Sequence, residues 1–176
     1  MKVSTNRKRS GRPLSSLTGL VWSRLRQINP SNRALHTRPV TEQRRARSIF
    51  IRQVDCGSCN AAELEISALF NPVYDLERYG FHLVASPRHA DILLLTGPFT
   101  RSMADAALAA LEAMSEPRWV VTAGDGFKPD SAFNGSYAIM PVPPKLAAAW
   151  VAHIPGDPPT PGQIMQVLLD LELVSL

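Results

Sequence analysis

Two cysteines three positions apart, Cys56 and Cys59, carry the most reactive side chains of this chain. They lie in the run VDCGSCNAAELEI, residues 54–66, which follows an apolar stretch and opens a stretch of helical periodicity. Cysteines at such a strand-to-helix turn usually do redox or metal chemistry. A site built from four thiolates needs more cysteines than the two that the sequence contains. Chemistry at this turn therefore depends on which other residues come to it.

The elements that must position this turn alternate between strands and helices. The strand-like runs have continuous rather than alternating apolar character, which is typical of a parallel sheet covered on both faces. About four strands and three helices predict an α/β, flavodoxin-like three-layer domain with a mainly parallel sheet. The strand-like runs are residues 48–54, 82–85, 91–95, 118–122 and 148–154, and the helical runs are 61–70, 103–114 and 163–173.

In such a fold the loops after the carboxyl ends of the strands form the site. Three tight, glycine-bearing loops stand there, at residues 55–62, 123–127 and 155–159, and each carries an Asp or a Cys. A flavin mononucleotide site is disfavoured because no Ser-, Thr- or Gly-rich phosphate loop follows the first strand. A thioredoxin-like redox pair is also open, since a helix amino terminus lowers a thiol pKa. The order of the later elements and the lack of a flanking Trp count against it.

The charge of the chain is divided between its two ends. Residues 1–48 hold twelve Lys or Arg and one acid, a net charge of +11, whereas the remaining 128 residues hold seven Lys or Arg and fourteen acids, a net charge of −7. The sequence therefore predicts a basic arm, residues 1–47, in front of a domain over 48–176. The arm is expected to be partly disordered.

One segment of the arm has apolar residues at helical spacing and predicts a short basic amphipathic helix. We expect it to lie on an anionic membrane surface or against membrane subunits; a solvated tail and an organellar targeting peptide remain alternatives. Nucleic acid is not an expected partner. No apolar run reaches the ~18 residues of a membrane span, and two cysteines so close together favour a reducing compartment. The apolar positions are Leu17, Leu20, Val21, Leu25 and Ile28.

Several runs in the predicted domain, residues 48–176, resemble a known family. The motif VDCGSCN followed by Glu63-Leu-Glu65-Ile resembles the small subunit of membrane-bound nickel–iron hydrogenases of the formate hydrogenlyase type, which is grouped with the 20 kDa subunit of respiratory complex I. The similarity covers residues 48–173. It continues through LFNPVYD at 69–75, ERYG at 77–80, SPRHADILLLTG at 86–97 and IPGDPPTP at 154–161.

The resemblance implies a [4Fe-4S] cluster that faces a large subunit and is held by four cysteines at positions 59, 62, 125 and 157. Only Cys59 is kept in this chain; Ala62, Asp125 and Asp157 stand at the other three positions. Cys56 matches a cysteine outside the ligand set. A cubane needs soft thiolate at its irons, so we expect no cofactor here.

Three interpretations of the altered site stay open. Asp125 and Asp157 could be structural replacements that accept backbone N–H bonds where sulfur once turned the loops. Cys56 could instead replace position 62 in an atypical cluster. Zinc or a hard ion could also be held by Cys56, Cys59, Asp125 and Asp157, because zinc accepts sulfur and oxygen donors.

The function that the resemblance implies is a small-subunit homologue in a membrane-associated hydrogenase-like or complex I-like assembly. We expect a cluster-less scaffold between a large-subunit homologue and membrane subunits, peripheral on the cytoplasmic face. The alternative is an electron-transfer subunit with an atypical [4Fe-4S] cluster. We expect no independent enzymatic activity. The residues expected at the interface are Glu63, Glu65, Arg88 and His89.

Overall fold

A computed structural model describes residues 48–171, so the predicted arm and its amphipathic segment lie outside the described residues. The described part contains a five-stranded sheet in the order β2-β1-β3-β4-β5, and every neighbouring pair is parallel. This is the flavodoxin-like strand order, which confirms the predicted fold class. The strands are β1 (Ile49–Asp55), β2 (Phe81–Leu83), β3 (Ile92–Thr96), β4 (Trp119–Ala123) and β5 (Trp150–Ile154).

Four α-helices cover the two faces of the sheet. They are α1 (Ala61–Ala68), α2 (Arg101–Ala113), α3 (Pro144–Ala148) and α4 (Pro161–Asp170). Three short 3-10 helices, Leu76–Tyr79, Pro87–His89 and Asp125–Phe127, lie in the connections.

The central strand β3 shows why the molecule has three layers. All five of its residues are buried, as expected of a parallel strand with helices on both sides. Ile92 and Leu94 pack into one hydrophobic cluster with residues of α1 and α4, while Leu93 and Leu95 pack into a second cluster with residues of α2 and α3. Successive side chains of a strand point to opposite faces, so one apolar run serves both cores.

The structure corrects the predicted run at 148–154. Residues 144–148 form helix α3, and strand β5 begins only at Trp150. Pro144 stands at the first helical position, where the missing N–H of proline costs nothing and its φ suits a helix. The described residues thus hold five strands, one in each of the five strand-like runs, and four α-helices, one more than predicted.

The start of α4 lies two residues before the predicted start. Thr160 is the N-cap: its hydroxyl accepts a hydrogen bond from the Gln163 N–H at 3.4 Å, and the Gln163 side chain accepts one from the Thr160 N–H at 2.9 Å. This reciprocal capping box, with Pro161 at the first position, satisfies amides that the helix leaves open. The capping box therefore fixes the position at which the turn that carries Asp157 ends and α4 begins.

Candidate functional site at the carboxyl edge of the sheet

The loops after β1, β3, β4 and β5 meet at the carboxyl edge of the sheet and press against one another. A Cβ added to Gly97 would lie 2.4 Å from the backbone nitrogen of Ser58, and one added to Gly126 would lie 2.5 Å from the backbone nitrogen of Pro98. Only glycine allows backbones to approach so closely, and Gly97 also has a φ of +70°. The loop after β3 is therefore in tight contact with the loops after β1 and β4.

The loop after β1 places the two cysteines in different environments. Asp55 Oδ1 accepts hydrogen bonds from the N–H groups of Gly57 and Ser58, each at 2.7 Å, and fixes the turn. Cys56 is completely buried, whereas Cys59 is exposed. Burial, with the nearby carboxylates of Asp55 and then Glu63, raises the pKa of the Cys56 thiol to about 12. Cys56 is therefore a protonated core residue, which argues against a thioredoxin-like pair.

Two backbone groups of Cys56 also belong to the sheet and its loops. The Cys56 N–H donates to the Thr96 carbonyl at 3.0 Å, and the Cys56 carbonyl accepts from both the N–H and the hydroxyl of Thr100, at 3.0 and 2.6 Å. These bonds fix the backbone that carries the buried Cys56 thiol. The geometry therefore offers no support for Cys56 as a replacement ligand.

Glu63 connects three elements. One carboxylate oxygen accepts a hydrogen bond from the Ser58 hydroxyl and the other from the Thr96 hydroxyl. Thr96 is fully buried at the end of β3, so the carboxylate satisfies a hydroxyl that water cannot reach. Glu65, one of the other predicted interface residues, is half-buried two positions further along α1.

Asp125 joins the loops after β4 and β5. Its Oδ1 accepts from the Gly156 N–H at 2.7 Å and pairs with Lys128 Nζ at 2.8 Å, while the Asp125 N–H donates to the Gly156 carbonyl at 3.2 Å. Lys128 and the Gly156 amide hold the pKa of the Asp125 carboxyl below its ordinary value. We call this arrangement of Asp125, Lys128 and Gly156 the loop clasp.

The other two altered positions behave differently. Ala62 is buried on α1 and has no donor atom. Asp157 is exposed, and within residues 48–171 its carboxylate makes no hydrogen bond or ion pair. Asp125 accepts a backbone N–H as a structural replacement would, but Asp157 does not. The turn amide before Asp157, that of Gly156, bonds to Asp125 instead.

The sequence did not single out the contact between His153 and Thr122. His153 Nδ1 lies 2.9 Å from the Thr122 hydroxyl, while its Nε2 is buried and has no partner among the residues that the structure describes. Burial, and secondarily the positive charge of Lys128, lowers the pKa of His153, although Asp125 opposes the shift. His153 is therefore neutral at physiological pH. No local pattern could have revealed this pair, because the two residues are 31 positions apart.

The predicted interface residues Arg88 and His89 lie elsewhere. Both are exposed on the 3-10 helix Pro87–His89 in the connection between β2 and β3. They are thus on a different connection from the loops that carry Cys59, Asp125 and Asp157. Across residues 48–171 no group of three or more His, Cys, Asp or Glu side chains is gathered to hold a metal ion, so the four candidate ligands do not converge there.

This chain forms a flavodoxin-like domain with a parallel sheet. Its cysteine turn, acids and prolines lie at one edge of that sheet. Comparison with known families makes the assignment specific. The family model described as NADH ubiquinone oxidoreductase, 20 Kd subunit, matches residues 59–171, and the chain belongs to this family. The resemblance seen in the sequence is therefore confirmed.

Individual relatives agree. The chain is 42% identical over 115 residues to formate hydrogenlyase subunit 7 of Escherichia coli (strain K12), covering 65% of this chain but only 45% of that protein. It is 39% identical over 130 residues to the "Probable membrane-bound hydrogenase subunit mbhJ" of Pyrococcus furiosus, covering 73% and 77%. A subunit of the archaeal membrane-bound sulfane sulfur reductase has the same fold, with a TM-score of 0.56, 22% identity and coverage of 71% and 72%.

The residues at the four positions where the resemblance implies cluster ligands do not fit a [4Fe-4S] cluster. Such a cluster is held by four thiolates, with rare replacements. Here one thiol is exposed, one position has only a methyl group, and one carboxylate is already engaged in the loop clasp. The donor set is three thiolates short, and Cys56 is buried and protonated.

Among residues 48–171, no helix is long and apolar enough to cross a membrane.

Proposed function

We propose that this protein fills the small-subunit position of a membrane-associated hydrogenase-like or complex I-like assembly as a scaffold without a cluster. The observation that carries the proposal is the combination of family membership over residues 59–171 with Ala62, Asp125 and Asp157 at three of the four ligand positions. The family supplies the position in an assembly, and the lost thiolates remove the electron-transfer chemistry. The protein has no enzymatic activity of its own in this account.

The loop clasp supports a scaffolding role. In a cluster-binding relative, the third and fourth ligands would hold the loops after β4 and β5 to one metal centre. In this chain the Asp125 carboxylate reaches across to the Gly156 amide, next to the fourth position, and a lysine neutralises its charge. Charge-assisted hydrogen bonds of this kind are among the stronger polar contacts in proteins. The surface around the ligand positions can thus keep a defined shape without metal.

The proposed partners follow from the relatives. Formate hydrogenlyase subunit 7 and the membrane-bound hydrogenase subunit are named as subunits of larger complexes. We place a large-subunit homologue against the carboxyl edge, and membrane subunits or an anionic membrane surface against the basic arm, which gives a peripheral location on the cytoplasmic face. The proposed contact residues remain Glu63, Glu65, Arg88 and His89; Glu63 contributes through the loops that it holds rather than as a free carboxylate.

One observation favours the alternative of an electron-transfer subunit with an atypical cluster. Cys59 is exposed and stands at a matched ligand position, so a sulfur ligand is accessible to an iron at this edge. The cluster would then need ligands from outside this chain or from Asp157. A hard carboxylate is a poor substitute for thiolate, and this explains our preference for the scaffold.

Co-expression tests the proposal. The full chain and the hydrogenase-type large-subunit homologue of the same genome should co-purify as a stoichiometric complex, and the chain expressed alone should be less soluble or less stable. Failure of the two to associate, together with a stable monodisperse monomer at high concentration, would contradict the scaffold role. Broad visible absorption from the chain purified without oxygen would instead support the alternative.

A further inference from the structure

The sheet is less completely covered beside β1 than beside β3. Ile49 and Ile51 belong to the cluster on the α1 and α4 side and are buried, whereas Arg52, which alternation places on the α2 side, is only half-buried. The cause is the connection between β2 and β3. A crossover between parallel strands usually carries an α-helix, but this connection carries the three-residue 3-10 helix Pro87–His89 instead. The α2 side of β1 is therefore left partly open.

A cavity of about 420 Å³ lies in this opening. Its apolar walls include Val54 of β1, Pro87 of the 3-10 helix, and Met103, Ala106 and Ala109 of α2. The two alanines are exposed, so the cavity is open to solvent. Sites that hold small molecules have volumes of roughly 300–1,000 Å³, mostly apolar walls and a few polar groups. The cavity thus has the size and the lining of a ligand site.

One charged side chain of the lining has no partner among the described residues. Arg52 is half-buried, and within residues 48–171 its guanidinium makes no hydrogen bond or ion pair. Asp55 also lines the cavity, but its Oδ1 accepts hydrogen bonds from two backbone N–H groups of its own turn, each at 2.7 Å. Gln53 completes the polar lining. A guanidinium is always charged and has five N–H donors, so this lining favours an anionic group beside an apolar one.

We propose that this cavity binds a small amphipathic anion. The apolar body of the ligand lies against Val54, Met103 and the alanines of α2, and its carboxylate or similar oxyanion binds the Arg52 guanidinium. Guanidinium and carboxylate can form two parallel charge-assisted hydrogen bonds, which a neutral head group cannot reproduce. Binding at this site requires neither a cluster nor a large-subunit homologue, so it is a function additional to the scaffold role.

Two fluorescent probes with the same rings test the site: anilinonaphthalene sulfonate, which is an anion, and phenylnaphthylamine, which is neutral. Titration of the full chain should show one site for the anion, with the neutral probe bound at least about 10-fold more weakly. Arg52→Gln should weaken binding of the anion by about 10-fold, the usual contribution of a hydrogen bond to a charged group, and should leave the neutral probe unchanged. Ala106→Trp fills the cavity and should abolish binding of both probes.

Arg78→Gln is the matched control. Arg78 is an exposed cation that pairs with Asp75 at 3.9 Å and does not line the cavity, so this variant should bind both probes as the wild type does. Circular dichroism and urea unfolding must show that each variant is folded, because loosely packed states also bind the anionic probe. Ala109→Trp replaces Ala106→Trp if the latter does not fold.

Three results would overturn the assignment. The first is a folded wild-type chain that does not bind the anionic probe. The second is equal binding of that probe by wild type, Arg52→Gln and the tryptophan variant, which would place the probe elsewhere, as on the basic arm. The third is equal affinity of the wild type for the two probes, which would remove the role of the Arg52 charge.

Discussion

The buried thiol of Cys56 should react far more slowly than the exposed thiol of Cys59. The structure raises the pKa of Cys56 from an ordinary value of 9.0 to about 12, so at neutral pH its thiolate is about 1,000-fold rarer than that of an unperturbed thiol. The thiolate is the nucleophile, and complete burial of Cys56 slows the reaction further. Cys59 is exposed to reagent.

Two single-cysteine variants isolate the thiols. Cys56→Ser leaves only Cys59, and Cys59→Ser leaves only Cys56. With a disulfide reagent at neutral pH, the second variant should react at least about 100-fold more slowly than the first, because the scarcity and burial of the Cys56 thiolate outweigh the greater nucleophilicity of a high-pKa thiol. In denaturant both should react fully and at similar rates, which controls for the reagent and the protein concentration.

Comparable rates for the two folded variants, within about tenfold, would refute the reasoning. Circular dichroism must first show that Cys59→Ser is folded. A fast Cys56 would mean that the cysteine turn opens readily, and that Cys56 is available as a metal ligand or redox partner. The atypical-cluster alternative would then gain over the scaffold.

Three further substitutions probe the carboxyl edge. Replacing Asp125 with Ala removes the loop clasp and should lower the free energy of unfolding, measured in urea, by about 1 kcal/mol. The matched Asp157→Ala variant should stay within about 0.5 kcal/mol of wild type. Equal effects of the two substitutions would contradict the clasp. Replacing Glu63 with Ala leaves a buried hydroxyl unsatisfied and should cost about 1–3 kcal/mol, against a near-neutral Glu65→Ala, as read from melting temperatures. The pKa of His153 is lower in the folded state than in the unfolded state. As the pH drops below about 6.5, the unfolded state therefore binds a proton at His153 first, and the stability of the fold should fall. The fall should end once the pH has passed the lower pKa of the folded state. His153→Gln should remove that part of the pH dependence, and an unchanged profile would contradict it.

The sequence predicted the strands of the sheet better than the contacts among the loops at its carboxyl edge. Ile92–Thr96 is a continuous apolar run, and its complete burial on both faces follows from that pattern alone. The same reasoning missed α3, because a five-residue helix that begins at a proline leaves no periodic signal. Local periodicity reveals strands and helices that are long enough to repeat a pattern. Short elements contain too few residues to show one.

The site was only partly predictable for a different reason. Its carboxyl-edge location follows from the alternation of strands and helices, and its altered ligand positions follow from family resemblance. The contacts of Glu63 with Thr96 and of Asp125 with Gly156 join residues 33 and 31 positions apart, so no local pattern encodes them. The same holds for burial: two cysteines in one motif look alike in the sequence, but one belongs to the core and the other to the surface.

The iron and acid-labile sulfide content of the protein shows whether this chain carries a cluster. The tagged full chain, co-expressed with its large-subunit homologue and purified without oxygen, would be separated from its partner and assayed, with a ferredoxin carried through the same procedure as control. A scaffold without a cluster carries no stoichiometric iron or sulfide and shows no charge-transfer absorption in the visible range. About four irons and four sulfides per chain, with the ferredoxin fully loaded, would contradict it.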